Sequence, residues 1–151
     1  MNVNKIIIFI LSVLILLACI GVGIFLFENH GNSQVSNTNT KIIQTSQGPI
    51  NVQDYTQHPV QVTNDAIVIE QTNDYQILNF KADNSFLITL LAEPIGQSRT
   101  TAENAFLKDL NITQTQACEL NVSVKTTEAV DPVYSGHELG MSFCPNSVSL
   151  Q

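Results

Sequence analysis

The apolar positions of this chain fall into two regimes. Ile6 to Phe27 is an uncharged run of 22 residues in which only Ser12, Cys19, Gly21 and Gly23 interrupt aliphatic and aromatic side chains. As a helix rising about 1.5 Å per residue it would span roughly 33 Å, enough to cross a bilayer core of about 30 Å. Backbone polar groups in lipid must be satisfied within the segment, so the expected form is a single transmembrane helix. After Phe27 the pattern turns polar, and apolar residues return only as short alternating or helical stripes.

The flanks give the run an orientation. Lys5 precedes it and Glu28 comes directly after it. The positive-inside bias then places residues 1–5 in the cytoplasm and everything after residue 27 outside the membrane. Cleaved secretory signals have apolar regions of about 7–15 residues, so the length favours an uncleaved signal-anchor. Leu16-Leu17-Ala18-Cys19 resembles, over four residues, the bacterial lipobox, and that resemblance would make Cys19 a lipidation site. The apolar character continues from Ile20 to Phe27, where a mature lipoprotein normally turns polar.

Residues 28–65 read as a flexible to extended lead-in. Glu28 to Thr40 contains a single aliphatic residue, Val35, too little apolar surface to offset the entropy of ordering. A flexible chain of about 13 residues has an end-to-end distance near 20 Å, which keeps the rest of the chain close to the membrane. Lys41–Gln44 and Ile50–Val52 are short possible strands separated by Gly48-Pro49, and Pro59–Val62 alternates weakly. An extra edge strand from this stretch is compatible with the domain beyond it.

Residues 66–151 carry the periodicities of a small α+β domain. Ala66–Glu70 is strand-like, and Tyr75–Phe80 and Phe86–Leu91 flank the turn-rich Lys81–Ser85, which predicts a β-hairpin. Ser98 is the expected N-cap of a helix whose Ala102, Ala105, Phe106 and Leu110 share one face, with Arg99, Glu103, Lys108 and Asp109 on the other. Thr113 and Gln116 have the spacing of a capping box, predicting a short helical turn. Leu120–Val124 alternates cleanly, and Leu139–Cys144 before Pro145 reads as a last strand. The expected architecture is β-β-α-β-β, one helix packed on an antiparallel sheet.

Charge narrows the partners. Beyond the apolar run five Lys and Arg face thirteen Asp and Glu, a net charge of −8. Such a surface repels phosphate backbones and anionic headgroups, so no nucleic-acid partner is expected. About a third of the chain is Asn, Gln, Ser or Thr, so neutral polar groups carry much of its solubility.

Cys118 and Cys144 are the remaining thiols. In an oxidising extracytoplasmic space they are expected to form a disulfide, closing a loop of about 27 residues worth roughly 3–4 kcal/mol in the chain-entropy model. One objection comes from strand parity. If Leu139, Met141 and Phe143 face inward, Cys144 points outward, while Cys118 is in phase with inward Leu120 and Val122. A helical Cys118 or a bend at Pro145 removes the conflict.

Other chemistry has little support in the pattern. Cys144, His137 and Glu138 are the residues an envelope cysteine hydrolase would need, but no recognised hydrolase signature surrounds them. His30, His58, His137, Glu138 and the cysteines show no metal-ligand spacing, and no Gly-rich phosphate loop occurs. No metal, no cofactor and no enzymatic activity are expected. The expected protein is a single-pass, extracytoplasmic interaction module of a cell-envelope or secretion assembly, held to the membrane by residues 6–27 and engaging a protein partner. The alternative is a lipoprotein or secreted ligand-binding domain.

Overall fold

The computed structural model of the chain describes residues 39–150. The apolar run 6–27 and Cys19 lie outside the described residues. Among the described residues no helix is long and apolar enough to cross a membrane.

The described residues form an α+β fold with one main helix. Nine elements run in this order: β1 (Thr40–Thr45), β2 (Gly48–Gln53), β3 (Gln61–Val62), β4 (Ala66–Gln71), β5 (Tyr75–Phe80), β6 (Phe86–Leu90), α1 (Ile95–Leu110), α2 (Gln114–Glu119) and β7 (Val122–Thr126). The strands β3-β4-β5-β6-β7 make a five-stranded sheet, and β1-β2 a separate two-stranded one.

The first three pairings of the large sheet are antiparallel, but β6 and β7 run parallel, with Ile88 beside Val124. This corrects the expectation of an all-antiparallel sheet. Parallel neighbours need a long crossover, and α1 with α2 supplies it. The sheet is therefore mixed.

Alternation assigns its faces. Tyr75, Ile77 and Asn79 on β5, Phe86, Ile88 and Leu90 on β6, and Val124 on β7 are buried on the face that receives α1. From the helix come Ile95, Ala102, Phe106 and Leu110, all buried. Phe86 and Phe106 meet edge to face with centroids 5.2 Å apart. This stripe is the one that helical spacing predicts.

The hairpin β1–β2 belongs to the same core; the sequence suggests short strands there, within an extended lead-in that could add an edge strand. Ile43 pairs with Ile50, and both are buried together with Val52 and Tyr55. Tyr55 packs edge to face on Phe86 at 5.7 Å. Two local features permit the hairpin. Gly48 has a φ of +130°, which an L side chain rarely adopts. Pro49 sits in a two-stranded sheet with an open edge, where its missing N–H forfeits no ladder bond. Lys41 covers the tyrosine, its Nζ 2.8 Å from the Tyr55 hydroxyl and 4.7 Å from the ring centroid.

Two further expectations change. The main helix starts at Ile95 and not after Ser98, with Pro94 at its N-cap. Ser98 is buried inside the first turn, donating to the Ala92 carbonyl at 2.8 Å. The stretch Leu139–Cys144 is not a strand. Gly140 adopts a φ of +64°, and the Cys144 N–H turns back to the Met141 carbonyl. The capping box forms as its spacing predicts, with Thr113 and Gln116 bonded reciprocally at the start of α2. Asn111, with a φ of 52°, ends α1.

Candidate functional site

Two polar constellations lie on either side of α1, and a surface without strand carboxylates lies on the opposite face of the sheet.

The first constellation holds the segment 138–148, a strap across one side of the helix. Arg99 and Glu103 lie one turn apart on α1 and are only 4 % and 3 % exposed. Charge groups them with Lys108 and Asp109 on an outer face, but at helical spacing they fall with Ala102, Phe106 and Leu110, and the structure buries them. Arg99 Nε donates to Glu103 Oε1 at 3.1 Å, while its terminal nitrogens donate to the carbonyls of Leu139, Gly140 and Val148 at 2.9, 2.7 and 2.7 Å. Glu103 in turn accepts the Ser142 N–H at 2.6 Å and the Ser142 hydroxyl. The planar five-donor guanidinium suits this work, since it can face a carboxylate and several carbonyls at once.

Glu138 fixes the start of the strap. Its Oε1 accepts the N–H groups of Val124 and Gly140 at 2.7 and 3.1 Å. The Leu139 N–H bonds to the Val124 carbonyl at 2.8 Å. The outer edge of β7 is thus met by a side chain and one backbone bond, not by a further strand. Leu139 and Met141 still point into the core, which is why their alternation resembles a strand.

Cys118 lies in α2, and Cys144 lies in a turn within the strap. Their sulfurs stand at disulfide distance, 1.93 Å, with Cα atoms 5.6 Å apart. The parity objection disappears because neither cysteine is in a strand. Cys144, the nucleophile of the Cys144, His137 and Glu138 set, is not a free thiol here, although Glu138 lines a concavity with it. Cys144 faces Cys118, and Glu138 is engaged by two backbone N–H groups.

The second constellation is a carboxylate pair created by a β-bulge. Val68 pairs with Leu78, but Glu70 pairs with Ile77, so Ile69 is the extra residue. The bulge turns Glu70 onto the helix-facing side. There it accepts the Tyr75 hydroxyl at 3.0 Å and meets Asp109 in the last turn of α1. Burial, then the hydrogen bond and charge of Glu70, push the Asp109 carboxyl up to about 6, against a smaller opposing pull from Lys108. The negative end of the helix acts in the same direction. Burial and the Glu70 carboxylate likewise push the Tyr75 hydroxyl up to about 12. Asp109, Lys108, Ile69, Asp54, Tyr55 and His58 line a shallow concavity of about 380 Å³ beside the pair. Thr56 and Gln57 donate to Asp54 and hold it below the usual carboxylate range.

The shift carries a stability prediction. Asp109 keeps a proton in the folded domain that the unfolded chain releases near 3.8. Its favourable contribution is complete below that pH and is lost as pH rises through about 6. The side chain is partly exposed, so solvent screening reduces the full conversion of the shift to about 1 kcal/mol. Asp109→Asn removes the repulsion and keeps a donor toward Glu70. Urea denaturation is expected to find it about 1 kcal/mol more stable than the parent at pH 8 and equal at pH 3.5. A gain of the same size at both pH values would assign the effect to packing.

The third feature is the sheet face opposite α1. By register, Val68, Leu78, Leu87 and Ser123 lie in one row across β4 to β7, with Gln76, Thr89 and Lys125 in another. Leu78 and Leu87 are half-buried, and Phe80 is 37 % exposed. Gln76 and Gln71 bond across the strands at 2.9 Å. No carboxylate occupies a strand position on this face, although the chain has 13 acidic residues.

Among the described residues no group of three or more His, Cys, Asp or Glu is placed to hold a metal ion. His58 lines the concavity beside Asp109, and His30 lies outside the described residues. The chain matches no protein-family model, no curated protein and no solved structure.

Sequence reasoning misses Arg99, Glu103 and Glu70 as positioned groups. For Arg99 and Glu103 a signal exists: opposite charges at i and i+4 immediately beside the apolar stripe. For Glu70 none does, because the bulge that aims it has no local signature.

Proposed function

We propose that residues 39–150 are a non-catalytic interaction module that presents the face opposite α1 to a protein partner. The observation that carries this reading is the neutral face of Leu78, Leu87 and Phe80 on an otherwise acidic chain. Interface centres are depleted of charge and enriched in aromatic and aliphatic groups, with polar residues at the rim. Here the Gln71–Gln76 pair, Thr89, Ser123 and Lys125 form such a rim.

The membrane placement is part of the proposal. Residues 6–27 act as an uncleaved signal-anchor, the N-terminus stays in the cytoplasm and the domain stands outside, within a cell-envelope or secretion assembly. The side chains of Arg99, Glu103 and Glu138 all serve to fix backbone, which suits a scaffold better than a reaction centre.

The test uses the full chain in its native membranes, with a photo-crosslinking residue at Leu87, at Phe80, or at the exposed helix position Thr100. Discrete protein adducts from Leu87 and Phe80, and none from Thr100, are expected. Equal adducts at all three positions, or none at Leu87, would overturn the assignment of the face.

A second reading rests on the concavity of about 380 Å³ beside Asp109: a lipoprotein or secreted domain that binds a small ligand there. An intact mass that begins at an acylated Cys19 would favour it.

A further inference from the structure

We propose that the Cys118–Cys144 disulfide is an exchange site for a dithiol, opened and reclosed on a domain that stays folded, and not a staple on which the fold depends. The proposal is independent of what docks on the sheet.

The strap that carries Cys144 has a second hold on the domain. Arg99 binds the carbonyls of Leu139, Gly140 and Val148, Glu103 binds Ser142, and Glu138 binds the N–H groups of Val124 and Gly140. Leu139 and Met141 are buried beneath it. None of these contacts involves a cysteine sulfur. Opening the disulfide therefore removes one covalent link and leaves the charged and apolar attachments in place.

The two sulfurs differ in access. Cys118 belongs to an exposed position of α2, whereas Cys144 is half-buried against the core. A concavity of about 270 Å³, lined in part by Cys118, Asn121, Val122, Glu138 and Cys144, opens at the bond. The concavity gives an incoming thiolate access to the bond, and Cys118 is the more exposed of its two residues.

The exchange then balances. The thiolate of the dithiol forms a bond to Cys118 Sγ, the Cys118–Cys144 bond breaks, and its electron pair leaves on Cys144 Sγ, which takes up a proton. The second thiol of the dithiol loses its proton and attacks the sulfur of its partner thiol in the mixed disulfide. This releases Cys118, which is protonated in turn. The dithiol ends as a disulfide, oxidised by two electrons, and the protein ends with two thiols. The strap still holds Cys144 near Cys118, so once one of the two thiolates has attacked an oxidised dithiol and formed a mixed disulfide, the other displaces the reduced dithiol in an intramolecular step favoured by proximity.

Two measurements on the purified full chain in detergent test this. In the first, the oxidised chain is exposed to reduced glutathione, free thiols are trapped with iodoacetamide, and the adducts are mapped by mass. Glutathione on Cys118 with alkylated Cys144 should exceed the opposite pattern by about tenfold; a majority on Cys144 would overturn the assignment of Cys118. In the second, the chain is reduced with dithiothreitol and treated with trypsin at 25 °C. Arg99 lies under the strap and should stay uncut while both cysteines alkylate, with a lower but still cooperative melting transition. Cleavage at Arg99 as fast as in urea would make the disulfide a structural staple. Ser142→Ala, which loses one strap bond, should resist cleavage when oxidised and be cut at Arg99 severalfold faster than the parent when reduced. No increase would equally overturn the proposal, because Glu103 would then not be the second hold.

Discussion

Glu103→Ala is expected to destabilise the domain by about 3–5 kcal/mol, because it strands a buried guanidinium without its counter-charge. Arg99 is only 4 % exposed, and its Nε points at Glu103 Oε1 3.1 Å away. Water cannot readily replace that carboxylate. The Ser142 N–H and hydroxyl lose their acceptor in the same step. Glu103→Gln keeps the shape and one acceptor oxygen, so it should cost clearly less. The paired replacement Arg99→Met with Glu103→Leu is the sharper case. Buried ion pairs exchanged for apolar residues often lose nothing. Here the pair also serves the carbonyls of Gly140 and Val148 and the N–H of Ser142. The double variant should therefore regain part of the loss and remain about 1–3 kcal/mol below the parent. Urea denaturation of the parent, the two Glu103 single variants and the double variant reads all of this. Full recovery in the double variant would mean that the charges serve only each other.

Phe86→Ala is expected to cost about 3–5 kcal/mol and to loosen the hairpin and the helix together. The ring is 1 % exposed and makes edge-to-face contacts with both Phe106 of α1 and Tyr55, just beyond β2. Removing it leaves a void among residues from three parts of the chain that cannot all close on the gap. The variant should still unfold in one transition, at lower urea. Two separate transitions would show that residues 40–55 fold apart from the sheet. A cost below about 2 kcal/mol would mean that the site collapses around the smaller side chain.

The elements visible in the sequence are those whose reasons are local. Tyr75–Phe80 and Phe86–Leu90 alternate across a turn-rich link and pair as a hairpin. Ala102, Phe106 and Leu110 recur at helical spacing and pack on that sheet. Thr113 and Gln116 satisfy each other within one turn. Such features need no knowledge of distant residues. Ser98 misleads because a serine near a helix start has the same local appearance at the cap and one turn inside it; a bond to the Ala92 carbonyl decides between them.

The segments whose local pattern misleads depend on partners far along the chain. Leu139–Cys144 alternates like a strand, yet its polar groups are met by Arg99, Glu103 and Glu138, 40 and 41 residues away in the case of Arg99 with Leu139 and Gly140. Ile43, Ile50 and Val52 are visible only as parts of short possible strands, and it is Tyr55 and Phe86 that place them in the core. Of the candidate site residues, Cys118 and Cys144 are legible as a pair because they are the two cysteines beyond the apolar run. Glu70 and Asp109 are not legible as a pair, because a bulge turns one toward the other.

By itself the sequence determined the secondary-structure stripes, the helix-on-sheet class, the acidic charge and the two cysteines that meet, because each arises from composition or from periods of two and 3.6 residues. Only the tertiary structure decided that β7 lies parallel to β6, that the early hairpin completes the core, and that Arg99 and Glu103 are buried. Those outcomes depend on which distant groups satisfy a backbone N–H or carbonyl, and that is a property of the packed chain and not of any window along it.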